Sequence, residues 1–200
     1  MAIVKFKNQE IKLLGNELNI GDNAPKLTLK TKNLASIEIA PAGKTQILLS
    51  VPSLDTPVCS KQAKETNKKL ASMKNIEVIL ISMDLPFAMD RFCATEGIAN
   101  IMFASDFAFK EFGLKYGTLI GSSIFAGLLT RAIFVVKNGK IIYKQFSKDV
   151  MEKLDFKDLE IFMYENYGYS LPHSSKLVTT NSSLGASIKQ DFSFKNNKST

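Results

Sequence analysis

The chain has 200 residues, 45% of them hydrophobic and 22% charged, a composition that suits one folded globular domain and excludes a wholly disordered or fibrous protein. Its net charge of +7 is not focused: residues 166–200 hold four lysines and one aspartate, and elsewhere lysines mix with acids, so nothing marks a nucleic-acid partner. The two cysteines, Cys59 and Cys93, are too few for a secreted disulfide scaffold and lack the paired spacing of a zinc site, so no metal is expected.

In chain order, "IVKFK" and "IKLL" read as a small β-hairpin, and "KLTLKT" and "IEIA" as short strands with period-two alternation. "TQILLSV", residues 45–51, is a continuous apolar run of strand length, as expected of a strand covered on both faces. Residues 58–74 are rich in helix formers with few apolar anchors, which predicts a helix exposed on one side. A second buried strand follows at 76–83. Then an acid and Pro86 at the start and Gly97 at the end punctuate a helix over 86–96. "IMFASD" reads as a third short strand and "FAFKEFGLKYG" as a short helix and loop. "RAIFVVKNGKIIYKQF" reads as a hairpin turning at "NG", and "DFKDLEIFMYENY" as a closing amphipathic helix. The alternation predicts an α/β architecture with a mixed central sheet flanked by helices, preceded by the N-terminal hairpin. The phenylalanines between 87 and 112 read as core.

Residues 1–166 therefore form the predicted domain. Residues 171–200 contain 17 Ser, Thr, Asn or Lys among 30, so 167–200 reads as a disordered tail. The first ten residues alternate apolar and charged types and lack a secretory signal, which predicts a cytoplasmic protein. The apolar stretch 119–136 is interrupted by Arg131, serines, a threonine and glycines, so no membrane span is expected.

The chemistry centres on "PSLDTPVC", residues 52–59. Cys59 falls in the first turn of a helix leaving a buried strand, where unpaired backbone N–H groups and the helix dipole favour a thiolate. Thr56 stands three residues earlier, placing its hydroxyl toward the sulfur across the turn. Pro52 and Pro57 stiffen the approach. An inert buried thiol is the competing reading of Cys59, a strand end reaching solvent that of Arg131, and a plain core cysteine that of Cys93.

The Pro-x3-Thr-x2-Cys pattern resembles the active-site motif of the peroxiredoxins. "SMDLPFAMDRFCATEG" resembles the matching segment of the bacterial thiol peroxidase subfamily, "GLLTRAIFVV" its arginine-bearing strand, and "GDNAP" a further N-terminal feature, all in order over about residues 1–165. The resemblance implies a thioredoxin fold and an atypical two-cysteine peroxiredoxin that reduces hydrogen peroxide and organic hydroperoxides without a cofactor. It implies Cys59 as the peroxidatic cysteine, Thr56 as the hydroxyl holding thiolate and peroxide, and Arg131 as the stabilising cation. Pro52 would shield the site from water. Cys93 would be the resolving cysteine, forming a disulfide with Cys59 that thioredoxin reduces, in a homodimer. Such a disulfide requires Cα atoms within about 7 Å, so local unwinding around both cysteines, released near Gly97, is expected on oxidation.

Three other readings remain. A dithiol oxidoreductase of the same fold would carry Cys-x-x-Cys, whereas these cysteines lie 34 residues apart. A noncatalytic redox sensor or binding module would react once and signal. A Cys–His hydrolase would have to draw its base from His173 in the tail.

Overall fold

The computed structural model describes residues 3–70, 73 and 75–168; the tail read as disordered lies, beyond Gly168, outside the described residues. An antiparallel hairpin, β1 (Ile3–Phe6) and β2 (Gln9–Leu14), opens the chain, followed by β3 (Leu27–Thr31), β4 (Ser36–Ile39) and β5 (Thr45–Ser50). Helix α1 (Pro57–Leu70), β6 (Ile76–Ser82), α2 (Pro86–Glu96), β7 (Met102–Ser105) and α3 (Glu111–Lys115) come next. The chain closes with β8 (Leu119–Ile120), β9 (Ala132–Lys137), β10 (Lys140–Phe146) and α4 (Phe156–Tyr167). The main sheet has the order β10-β9-β5-β6-β7-β3-β4. Its centre, β5-β6-β7, is parallel, and the outer pairs are antiparallel.

The period-two geometry of the central strands builds two cores. Ile47, Leu49, Val78, Leu80, Phe103, Ile133 and Val135 face one side, where Cys59 and Ala63 of α1, Met89 and Cys93 of α2, and Leu159 and Met163 of α4 cover them. Leu48, Ile79, Ile81, Ala104, Phe134 and Val136 face the other, packed against Phe112 and Tyr116. This burial on both faces is why strands 45–50 and 76–82 read as unbroken apolar runs. The Asn138-Gly139 turn has φ of 50° and 73° at its two residues, the left-handed pair that a tight two-residue hairpin requires.

The structure adds to two of these readings and corrects one. Within the stretch 119–136, β8 pairs with β2 (Leu13↔Ile120, Leu14↔Leu119) and makes the N-terminal hairpin a three-stranded sheet. Two residues are too short for an apolar pattern to reveal. The phenylalanines between 87 and 112 are not all core: Phe87 on α2 and Phe107 and Phe109 on a loop are exposed, whereas Phe103 on β7 and Phe112 on α3 are buried, and composition alone does not separate the two faces. Helix α1 is exposed on one side, as its few apolar anchors predict, and its buried face is partly polar, with Gln62 and Thr66 beside Cys59, Ala63 and Leu70. Among the described residues no helix is long and apolar enough to cross a membrane.

Candidate active site

The site lies where the parallel strands end, the edge at which open α/β sheets bind ligands. Strand β5 ends at Ser50, and the buried residues Val51 and Pro52 carry the chain into a turn over Ser53–Thr56. Thr56 caps α1. Its hydroxyl accepts from the Cys59 backbone N–H (3.4 Å) and donates to the Ser53 carbonyl (3.1 Å), while its own carbonyl accepts from Ser60 N (2.9 Å). Pro57 occupies the first helical position, where a missing N–H costs nothing. The Thr56 hydroxyl thus meets the backbone of Cys59, fixing the first turn on which the sulfur sits.

Strand register supplies the cation. Strand β9 runs antiparallel to β5 with Ser50 opposite Ala132, so the residue before β9 lies beside the exit of β5. That residue is Arg131. Its backbone is held by Ser147 N donating to its carbonyl (3.0 Å), and its neighbour Thr130 is held by Ser50 Oγ and by a bond to the Thr118 carbonyl (both 2.8 Å). Its side chain turns inward, 2% exposed, and Nη1 donates to Cys59 Sγ at 2.8 Å, with Cys59 itself 0% exposed. A buried guanidinium needs a counter-charge. The Cys59 sulfur is the group it touches, and a strand end reaching solvent is excluded for Arg131.

Cys93 differs. It sits in the last turns of α2 at 4% exposure, on the same core as Cys59, and both thiols are free. Burial pushes its thiol from 9.0 up to about 11; the charge of Lys32 opposes the rise and that of Asp90 adds to it. At neutral pH Cys93 is therefore a protonated thiol, whereas the Cys59 sulfur lies against the Arg131 guanidinium. Helix α2 is lightly held: only Met89 and Cys93 are buried, and Leu85 at its N-terminus gives no side-chain cap. At its C-terminus the Cys93 carbonyl accepts from Gly97 and Ile98 N–H, with Gly97 in the left-handed conformation.

Sequence reasoning missed Asp84. Its acid reads as helix punctuation, yet the carboxylate turns toward the Cys59 turn and accepts from Ser53 Oγ (2.8 Å), Leu54 N (2.7 Å) and Ser82 Oγ (2.8 Å). A Ser-x-Asp spacing at the end of a buried strand was the available signal. Gln62, one turn after Cys59, is fully buried, and its amide makes no hydrogen bond among the described residues. No group of three His, Cys, Asp or Glu side chains among them is placed to hold a metal.

A Redoxin family model matches residues 19–160. The chain is 57% identical over 162 residues to a thiol peroxidase of Campylobacter jejuni, covering 81% of this chain and 93% of that protein. It is 39% identical over 158 residues to a thiol peroxidase of Aquifex aeolicus, covering 78% and 93%. The crystal structure of a peroxiredoxin-like protein from Aquifex aeolicus superposes with a TM-score of 0.78 at 38% identity, covering 82% of this chain and 96% of that one. With a family match across the sheet and both cysteines, the chain belongs to the redoxin family, in its thiol peroxidase branch of the peroxiredoxins.

Proposed function

We propose that this thiol peroxidase reduces hydrogen peroxide and organic hydroperoxides through Cys59, with Cys93 as resolving cysteine and thioredoxin as reductant. The contact between Arg131 Nη1 and Cys59 Sγ is the observation that carries this reading. The thiolate attacks the terminal peroxide oxygen in line. The O–O bond breaks, the leaving oxygen takes a proton as water or alcohol, and Cys59, oxidised by two electrons, becomes a sulfenic acid. Arg131 serves both ends of this step, stabilising the thiolate and then the negative charge developing on oxygen. Thr56 holds the Cys59 turn in register for attack, and buried Pro52 keeps water from the sulfur. A sulfur with no exposed surface suits a small or narrow electrophile.

Cys93 then attacks the sulfenic sulfur: an S–S bond forms and hydroxide leaves as water with the Cys93 proton. Helix α2 unwinds locally to allow it, and unwinding also exposes Cys93 to water, which removes the burial that keeps its proton in place. Thioredoxin returns both thiols by supplying two electrons and two protons. The protein acts in the cytoplasm as a homodimer. Exposed Leu85, Phe87, Phe107 and Phe109 offer apolar surface for the second copy.

Peroxide-dependent NADPH oxidation in the presence of thioredoxin and thioredoxin reductase tests this function. Sustained turnover with hydrogen peroxide and with an alkyl hydroperoxide, abolished by Cys59→Ser, is expected. A single stoichiometric oxidation without turnover would favour a redox sensor.

A further inference from the structure

Asp84 is placed to join the two segments that carry the cysteines. It lies in the short link between the end of β6 and the start of α2. One carboxylate oxygen accepts from Ser53 Oγ at 2.8 Å, and the other accepts from Leu54 N at 2.7 Å and Ser82 Oγ at 2.8 Å. Its backbone is fixed as well: Ser105 Oγ at the end of β7 donates to the Asp84 carbonyl at 2.6 Å, and Asp84 N donates to Ser82 Oγ at 3.3 Å. Ser53, on the Cys59 side, also accepts from Asp55 N (3.2 Å) and, through its carbonyl, from Thr56 Oγ1 (3.1 Å). An unbroken chain of hydrogen bonds thus runs from the root of α2 through Asp84 and Ser53 to the residue that caps Cys59.

Resting on the peroxidase reading above, we propose that Asp84 is a positioning residue that pins the Cys59 turn to the root of the Cys93 helix. With the pin in place, the turn over 53–56 holds the sulfur in its attacking geometry. The same bonds oppose the unwinding that disulfide formation needs. One carboxylate therefore acts in opposite directions on two consecutive steps: it speeds oxidation of Cys59 and slows closure onto Cys93. Asn suits the position nearly as well, since its carbonyl oxygen accepts from Leu54 N and Ser82 Oγ while its NH2 donates to Ser53 Oγ, a hydroxyl that can accept as well as donate.

The test uses the full-length chain and quenched-flow mass spectrometry. Cys59 oxidation by hydrogen peroxide is measured in a Cys93→Ser background, and disulfide closure with both cysteines present. Asp84→Ala should slow the first step by about tenfold or more, as expected when a reacting group loses its orientation, and speed the second several-fold. Asp84→Asn should bring both rates to within about threefold of the parent. Ser53→Ala, which removes one bond to the carboxylate, should show the same opposed signs at smaller size and stands in if Asp84→Ala does not fold. Ile11→Ala, in the separate core of the N-terminal sheet, supplies a variant of lowered stability in which neither rate should move. Peroxide-reactive parent protein whose rates Asp84→Ala and Ser53→Ala leave unchanged, or shift in the same direction, would overturn the proposal alone. A parent protein whose Cys59 does not react with peroxide would overturn the peroxidase reading and this proposal together.

Discussion

Replacing Arg131 by Met removes the guanidinium from the Cys59 sulfur and keeps a stem of similar volume. Coulomb attraction between unit charges 2.8 Å apart is about 6 kcal/mol at an effective dielectric constant of about 20, and the cost of desolvating both ions takes back much of it. A hydrogen bond to a charged group contributes about 1.5–3 kcal/mol net. At about 1.36 kcal/mol per decade, Arg131→Met should slow Cys59 oxidation roughly 10- to 150-fold. Stability should move the other way or not at all, because an apolar stem of similar volume removes the desolvation cost of the buried guanidinium. Competition against a second peroxide scavenger in a Cys93→Ser background reads the rate, and thermal unfolding reads the fold. A rate within threefold of the parent, or a slowing that appears only with loss of fold, would refute the reasoning.

Thr56→Val removes the cap on the Cys59 N–H and should slow Cys59 oxidation by about tenfold while costing about 1 kcal/mol of stability, whereas Thr56→Ser should match the parent; equal rates in Val and Ser variants would remove Thr56 from the mechanism. Cys93 carries a pH signature. Its thiol is raised from 9.0 to about 11 in the folded chain, so its contribution to stability is complete below about pH 9 and is lost as pH rises toward 11, because the unfolded chain gives up the proton first. Denaturation midpoints of the reduced parent should therefore fall toward those of Cys93→Ala across that window, and a constant difference between the two would contradict the buried-thiol assignment. Asp106 is buried and accepts from Phe112 N (2.9 Å) and Gly113 N (2.8 Å), holding the start of α3. Asp106→Ala should cost about 1–3 kcal/mol by stranding these donors, and Asp106→Asn, whose amide can accept from only one of them, should also destabilise; an unchanged urea midpoint in Asp106→Ala would show that the bonds do not matter.

What the sequence made legible follows from how local each signal is. The strands 45–50 and 76–82, the helix 86–96 and the Asn138-Gly139 turn are each specified by neighbours within a few residues, and they appear where the pattern places them. The cap on Cys59 is equally local: Thr, Pro and Cys within four residues write a helix start. The meeting of Arg131 with Cys59, 72 residues apart in the chain, depends on the pairing of β9 with β5, a register no short window contains. Resemblance, rather than periodicity, brought Arg131 forward. Asp84 escaped for a related reason, since an acid before Pro86 reads as a helix start when its partners at 53 and 54 are about thirty residues away. The two-residue strand β8 was beyond any pattern. Cys93 stayed ambiguous because α2 has no clean apolar stripe, and only the packing of Met89 and Cys93 one turn apart decides which face is buried.

The most direct measurement adds one equivalent of hydrogen peroxide to the reduced protein, quenches within seconds and maps both cysteines by mass spectrometry, alongside Cys59→Ser and Cys93→Ser. The peroxidase reading requires loss of two hydrogens as a disulfide between Cys59 and Cys93 in the parent, and sulfenic acid at Cys59 in Cys93→Ser. Cys59→Ser should remain unreacted. Thiols that stay reduced in the parent, or oxidation that falls first on Cys93, would contradict it.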